Sequence, residues 1–167
     1  MIAETNRLYL REMTPDDAQS AYELNLDPEV VQYTGDVAFE SIEAARTFLI
    51  NYDHYKKYGF GRWAVIQKSN NEFLGWCGLK YHEDTNEFDL GYRFFKKHWG
   101  KGFATEASQA CLELGFKKFN MPAIYADAMK TNPASIKVME KVGMRFFKES
   151  ICGGEPAVYY KIVNPYL

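Results

Sequence analysis

His98-Trp-Gly-Lys-Gly-Phe-Ala-Thr-Glu-Ala107 joins an extended run at residues 88–95 to an amphipathic helix expected over residues 103–119. Two glycines, Gly100 and Gly102, stand where that helix begins. Without Cβ atoms, the backbone N–H groups of such a turn can approach an oxyanion, and the helix dipole favours negative charge there. Lys96, Lys97 and Lys101 add positive charge beside it. A phosphate-binding turn is one reading. A tight strand-to-helix turn whose glycines serve only steric needs is the other. A nucleotide P-loop is excluded: Gly102 follows Gly100-Lys101 where Ser or Thr is required, and Phe95 occupies the earlier glycine position.

Upstream, residues 7–12 alternate apolar and charged side chains and predict a first strand. Thr14-Pro15-Asp16-Asp17 supplies an N-cap, a proline at the first helical position and a capping-box acid. The helix that follows carries Ala18, Ala21 and Tyr22 and stops near Asp27-Pro28. A second helix is expected from Ser41 until just before Gly59, with Ile42, Ala45, Phe48, Leu49 and Tyr52 on its apolar face. Residues 61–67 and 73–81 read as strands around a Ser69-Asn70-Asn71 turn. Downstream come a strand at 123–128, a helix capped by Thr131 or Asn132 and ended by Gly143, and strands near 145–150 and 157–163. This order predicts one α/β domain over residues 1–167, an α+β mixed sheet of about seven strands with helices on both faces.

The chain has 167 residues, 47% hydrophobic and 25% charged, which is ordinary globular composition and excludes a disordered chain. No apolar run approaches the ~20 residues of a membrane span, and no basic-then-apolar leader opens the chain, so no membrane partner is expected. With a net charge of −2 and no run of five basic residues, nucleic acid is an unsuitable partner. Cys77, Cys111 and Cys152 are odd in number and distant in sequence, which suggests reduced thiols and a cytoplasmic location. His54, His82 and His98 lack metal-ligand spacing, so no metal is expected. Residues 1–89 hold 8 basic against 16 acidic side chains, a net of −8, and residues 90–167 hold 12 against 6, a net of +6. Local potential of this kind suits a cationic ligand in the first half and an anionic one in the second. The aromatic series Tyr33, Phe39, Tyr52, Tyr55, Tyr58, Phe60 and Trp63 reads mainly as core, with part of it available to wall an amine pocket.

Trp99-Gly-Lys-Gly-Phe-Ala104 resembles the pyrophosphate-binding loop of the GNAT superfamily of acyl-CoA-dependent N-acetyltransferases. Asn132-Pro-Ala-Ser-Ile-Lys-Val-Met-Glu-Lys-Val-Gly-Met144 resembles that family's second motif, and Asp89-Leu-Gly-Tyr-Arg-Phe94 its preceding strand. Thr5-Asn-Arg-Leu-Tyr-Leu-Arg11 and Gly75-Trp-Cys-Gly-Leu79 are similar to the branch that holds ribosomal-protein N-terminal (alanine/serine) acetyltransferases. The likeness spans essentially the whole chain, with the motifs in order.

The resemblance implies a GNAT fold with a splayed pair of central strands, here 88–95 and 123–128, between which the pantetheine of acetyl-CoA lies. Backbone groups of Arg93, Phe94 and Phe95 would hold the pantetheine, and one of their N–H groups would polarise the thioester carbonyl. The diphosphate would rest on Trp99, Gly100, Lys101, Gly102, Phe103, Ala104 and Thr105, with Asn132 and Ser135 near the thioester end. Asp89 is the implied base or water-positioner for an attacking amine. Many family members have a Tyr acid where this chain has Met139, and a thioether cannot donate a proton, so Ser135 becomes the candidate for stabilising the thiolate.

The implied activity is acetyl transfer to a primary amine, either a protein N-terminal α-amine or a small molecule, in a ternary complex without an acyl-enzyme. A homodimer is implied by the same relatives. The rival from another class is an acyl-CoA-binding sensor or assembly module with little catalysis.

Overall fold

The computed structural model describes residues Met1–Leu167. Its order is β1 (Ala3–Glu4), β2 (Leu8–Arg11), α1 (Ala18–Leu26), α2 (Pro28–Val31), α3 (Ile42–Asn51), α4 (His54–Tyr58), β3 (Arg62–Gln67), β4 (Glu72–His82), β5 (Glu87–Phe94), α5 (Phe103–Lys117), β6 (Ala123–Met129), α6 (Pro133–Lys141), β7 (Arg145–Cys152) and β8 (Glu155–Val163). The strands form one sheet in the order β1-β2-β3-β4-β5-β6-β8-β7. Eight strands replace the expected seven because β1, two residues paired with Leu10 and Tyr9, is too short to show alternation. No helix is long and apolar enough to cross a membrane.

Local chemistry explains most boundaries. The Thr14 capping box forms, but it closes a single 3-10 turn at Pro15–Asp17 before α1 starts. Asp17 accepts the Thr14 N–H at 2.9 Å and pairs with Arg11 at 2.9 Å, tying this turn to β2. Asp27-Pro28 ends α1 as expected and also starts α2: Asp27 accepts the Glu29 N–H at 2.9 Å, and proline suits a first helical position. The helix expected to run from Ser41 to Gly59 is interrupted at Tyr52, whose backbone is extended and whose hydroxyl accepts the Arg62 N–H at 2.9 Å. After the break, His54 Nε2 accepts the Tyr81 N–H at 3.1 Å, capping β4 where its neighbour β3 has already ended. The aromatic series is spent mainly on packing: Phe60 and Trp63 are core residues, Tyr55 and Tyr58 pack against the core, and Phe39 lies against Ala18, Ala45 and Leu49.

The sheet has two differently used faces. Paired residues in an antiparallel ladder share a face, so Cys77 and Leu79 lie with Tyr92 and Leu90. That face carries α5: Cys111 Sγ reaches Cys77 Sγ at 3.6 Å, and a Cβ on Gly115 would meet Leu79 at 3.2 Å. The thiols far apart in sequence thus meet in the core, buried and unbridged. Trp76, Asp89, Gly91 and Arg93 lie on the opposite face, where Arg93 reaches Asn25 of α1 at 2.7 Å. Between β5 and β6 a single parallel bridge, Asp89 to Tyr125, holds the strands together, and beyond it they diverge.

Candidate active site

Gly100 (φ 75°) and Gly102 (φ 82°) both adopt the left-handed conformation that favours glycine. A Cβ on Gly100 would meet nothing within 4 Å, and one on Gly102 only the Arg7 guanidinium at 3.4 Å, so the turn presents an open face. No side chain caps α5, and its first intrahelical bond is from the Glu106 N–H to the Gly102 carbonyl at 3.0 Å. The N–H groups of Phe103, Ala104 and Thr105 are therefore the orphan donors of a helix start, available to an anion. The residues fit the diphosphate of acetyl-CoA. Phe103 contributes backbone only, since its side chain is buried under Arg7.

The amino-terminal arm staples this turn. Arg7 binds Glu106 of α5 at 2.8 Å and the Lys101 carbonyl at 3.0 Å, while Thr5 Oγ1 donates to Glu106 at 2.5 Å. Of the three lysines expected to lend charge, Lys96 is paired with Glu29 and Lys97 with Glu72, which leaves Lys101. The exposed Trp99 ring donates its indole N–H to the Phe94 carbonyl at 2.9 Å, locking the turn to the end of β5.

Along β5 the backbone groups alternate between neighbours. The Phe95 N–H donates to the Leu74 carbonyl at 3.0 Å, so Phe95 and, two residues back, Arg93 direct their main-chain groups at β4. Of the three residues expected to hold the pantetheine, Phe95 and Arg93 thus turn these groups toward β4. Phe94 keeps its N–H toward the divergence, as does Tyr92, two residues earlier on the strand. The Arg93 side chain serves the other face, bound to Asn25 at 2.7 Å and Asp36 at 2.6 Å.

At the base of the divergence Asp89 is engaged on both carboxylate oxygens. Arg62 Nη2 binds Oδ1 at 2.8 Å, and His82 Nε2 contacts Oδ2. Burial alone would raise this carboxyl, but the Arg62 charge and the His82 hydrogen bond outweigh it and hold it down at about 2. Gly91 makes the arrangement fit, because a Cβ there would lie 2.8 Å from the Arg62 guanidinium. His82, read from its spacing only as no metal ligand, is the residue that the sequence did not reveal. Its hydrogen bond to Asp89 raises its pKa against partial burial. Asp127 on β6 shares this face, pairs with no other side chain, and is pushed up by desolvation and then by the Asp89 charge. No group of three His, Cys, Asp or Glu side chains is gathered to hold a metal ion.

Across the divergence, Asn132 Oδ1 caps α6 by accepting the Ser135 N–H at 3.3 Å, which leaves its amide nitrogen uncommitted. Ser135 Oγ accepts the Tyr92 hydroxyl at 3.3 Å, and burial keeps that phenol protonated. Met139 is buried in the core, away from any donor role.

Residues 7–145 match the acetyltransferase (GNAT) domain family. The chain is 32% identical to YkkB of Bacillus subtilis, over 94% of this chain and 92% of that protein. It is also 32% identical to the N-acetyltransferase YnaD of the same organism, over 96% and 95%. A crystal structure of a GNAT-family acetyltransferase from Bacillus anthracis superposes with a TM-score of 0.83 at 29% identity, covering 96% and 97% of the two chains. Two structures share the fold at 18% identity. One is ribosomal-protein-S5-alanine acetyltransferase from Vibrio fischeri, with a TM-score of 0.83 and coverage of 98% and 96%. The other is spermidine N-acetyltransferase from Vibrio cholerae with CoA and spermine, with a TM-score of 0.80 and coverage of 96% and 97%. The chain belongs to the GNAT acetyltransferase family and is an acetyl-CoA-dependent N-acetyltransferase.

Proposed function

We propose that the chain acetylates the primary amine of a small acceptor carrying a further positive charge, by direct attack in a ternary complex. The observation that carries this reading is Asp127, an unpaired carboxylate on the same face as Asp89. The loop at Gly35 closes on the β7–β8 turn beside this face, where a Cβ on Gly35 would lie 3.3 Å from the Gly153 backbone. Such a closure favours a small acceptor over a threaded polypeptide. The fold neighbour crystallised with spermine has a substrate of this chemistry.

Acetyl-CoA supplies the activated acyl group. The N–H groups from Gly100 to Thr105 hold its diphosphate, the Phe94 N–H faces the thioester carbonyl, and Ser135 stabilises the departing thiolate. Asp89 orients the acceptor side of the site through Arg62 and His82. Direct attack accords with the thiols: Cys77 and Cys111 are fully buried, and burial raises Cys152, so none offers a thiolate nucleophile. The homodimer reading draws support from β7, an edge strand exposing Phe146, Phe147 and Ile151. The cytoplasmic reading draws support from the unbridged Cys77–Cys111 pair.

Free-thiol release from acetyl-CoA over diamines, polyamines, amino acids and amino-terminal peptides tests the proposal. Diamines or polyamines should give the highest kcat/KM, and Asp127→Asn should raise KM for them by about tenfold. Faster turnover on peptide α-amines would favour the protein N-terminus instead.

A further inference from the structure

The attacking amine must lose a proton as its nitrogen bonds the thioester carbon, and a base serves best when its pKa lies near the working pH. Asp89 does not meet that condition. Both its oxygens are engaged, by Arg62 at 2.8 Å and by His82, and these partners hold it ionised. The group those contacts hold in place is the His82 imidazole.

We propose that His82 takes the proton from the attacking amine, and that Asp89 is its positioning residue. Nε2–H donates to Asp89 Oδ2, which fixes the neutral tautomer with its lone pair on Nδ1. No protein group bonds Nδ1, and about a third of the side chain is open to solvent, at 35%. His82 ends β4 opposite Glu87, on the same sheet face as Asp89, two residues along β5 from the Asp89–Tyr125 bridge beyond which β5 and β6 part. In the step, the amine lone pair forms the C–N bond, the C–S bond breaks with its electron pair leaving on sulfur, and the ammonium proton passes to Nδ1 directly or through one water. The imidazolium then returns that proton to solvent, and the thiolate, held by a hydrogen bond from Ser135, takes one from solvent.

The surrounding charges are mixed. Glu87 lies directly across on β5, Asp127 on β6, Lys80 two residues back on the same strand, and Arg62 on β3. Glu83 and Asp84 begin the turn that follows, and His54 of α4 is occupied by the Tyr81 N–H. Among them Asp89 alone bonds the ring, and its effect on His82 exceeds the opposing effects of Lys80, Arg62 and burial.

This inference rests on the transferase reading, and the experiment separates the two. The full-length protein is titrated with acetyl-CoA by calorimetry, assayed for thiol release from pH 5 to 9, and followed by histidine ¹⁵N NMR without ligand. Loss of acetyl-CoA binding in the parent protein would overturn the transferase site, and this proposal with it. With binding intact, His82→Gln should lower kcat by about 10²-fold, leave the acetyl-CoA dissociation constant within about twofold, and abolish the acidic limb of the rate profile. Imidazole should partly restore His82→Ala. Asp89→Asn should move both the His82 NMR titration and the acidic limb to lower pH together. A His82→Gln enzyme with parental kcat, or an acidic limb that stays put while the NMR titration moves, overturns the assignment of His82 alone.

Discussion

The Tyr92 hydroxyl donates to Ser135 Oγ at 3.3 Å across the gap where β5 and β6 diverge, linking the two walls of the acyl-donor cleft. Ser135 therefore keeps its own O–H free for a sulfur arriving between the strands, and Tyr92 backs it with a second proton. Ser135→Ala should lower kcat by roughly tenfold or more, with acetyl-CoA affinity nearly unchanged. Tyr92→Phe removes only the supporting hydrogen bond, worth about 1 kcal/mol, and should cost about fivefold. Single-turnover thiol release measures both. A Ser135→Ala enzyme of parental rate would remove Ser135 from the reaction.

Gly91 predicts an effect with no change in charge. A Cβ at this position would sit 2.8 Å from Arg62 Nη2 and 2.9 Å from its Cζ. The guanidinium is a flexible end and can swing away, so Gly91→Ala should fold, with a melting temperature within a few degrees of the parent. Swinging away breaks the Arg62–Asp89 contact, and turnover should fall by about tenfold. Circular dichroism melting beside thiol release checks this. Loss of both fold and activity would show that the strand itself cannot accept the methyl group.

The same pair sets a pH dependence of stability. Asp89 is held at about 2 in the folded protein, below the 3.8 of an ordinary aspartate. A depressed folded-state pKa gives stability that is present above the unfolded value and lost as pH falls through the folded one. The loss belongs between about pH 4 and pH 2 and amounts to roughly 2 kcal/mol, at 1.36 kcal/mol per unit. Urea unfolding at pH 5 and pH 3 should show the parent losing more than Asp89→Asn. His82 has the opposite sign: its raised pKa contributes stability below about pH 6.5 that fades as pH rises through the folded value.

Much of this architecture was legible in the chain because periodicity and punctuation report local chemistry. The Gly100–Gly102 turn, the Thr14 cap and the Gly143 stop required only neighbours in sequence. The break at Tyr52 was not legible, since its cause is a hydrogen bond to Arg62 ten residues away that needs β3 in place. A separation of seven positions between His82 and Asp89 hides a contact made by strand pairing, and one of twenty-seven between Arg62 and Asp89 hides another. The engagement of the Phe95 N–H with β4 was hidden for a related reason: a motif identifies a strand but not which neighbour each N–H faces.

The glycine turn provides the sharpest test of the donor site. Gly102 sits at φ 82°, a conformation that a β-branched side chain rarely adopts, and it immediately precedes the first turn of α5. Gly102→Val must re-aim the N–H groups of Phe103, Ala104 and Thr105, while the helix and sheet behind them remain packed. Acetyl-CoA binding should weaken by about 30-fold or more with an unchanged circular dichroism spectrum. Arg7→Ala acts on the same turn from behind by removing the Glu106 pair and the bond to the Lys101 carbonyl, and should cost about fivefold. Calorimetry reads both variants. Parental affinity in Gly102→Val would mean that the diphosphate rests elsewhere, since no other change could move these donors so far at so little cost to the fold.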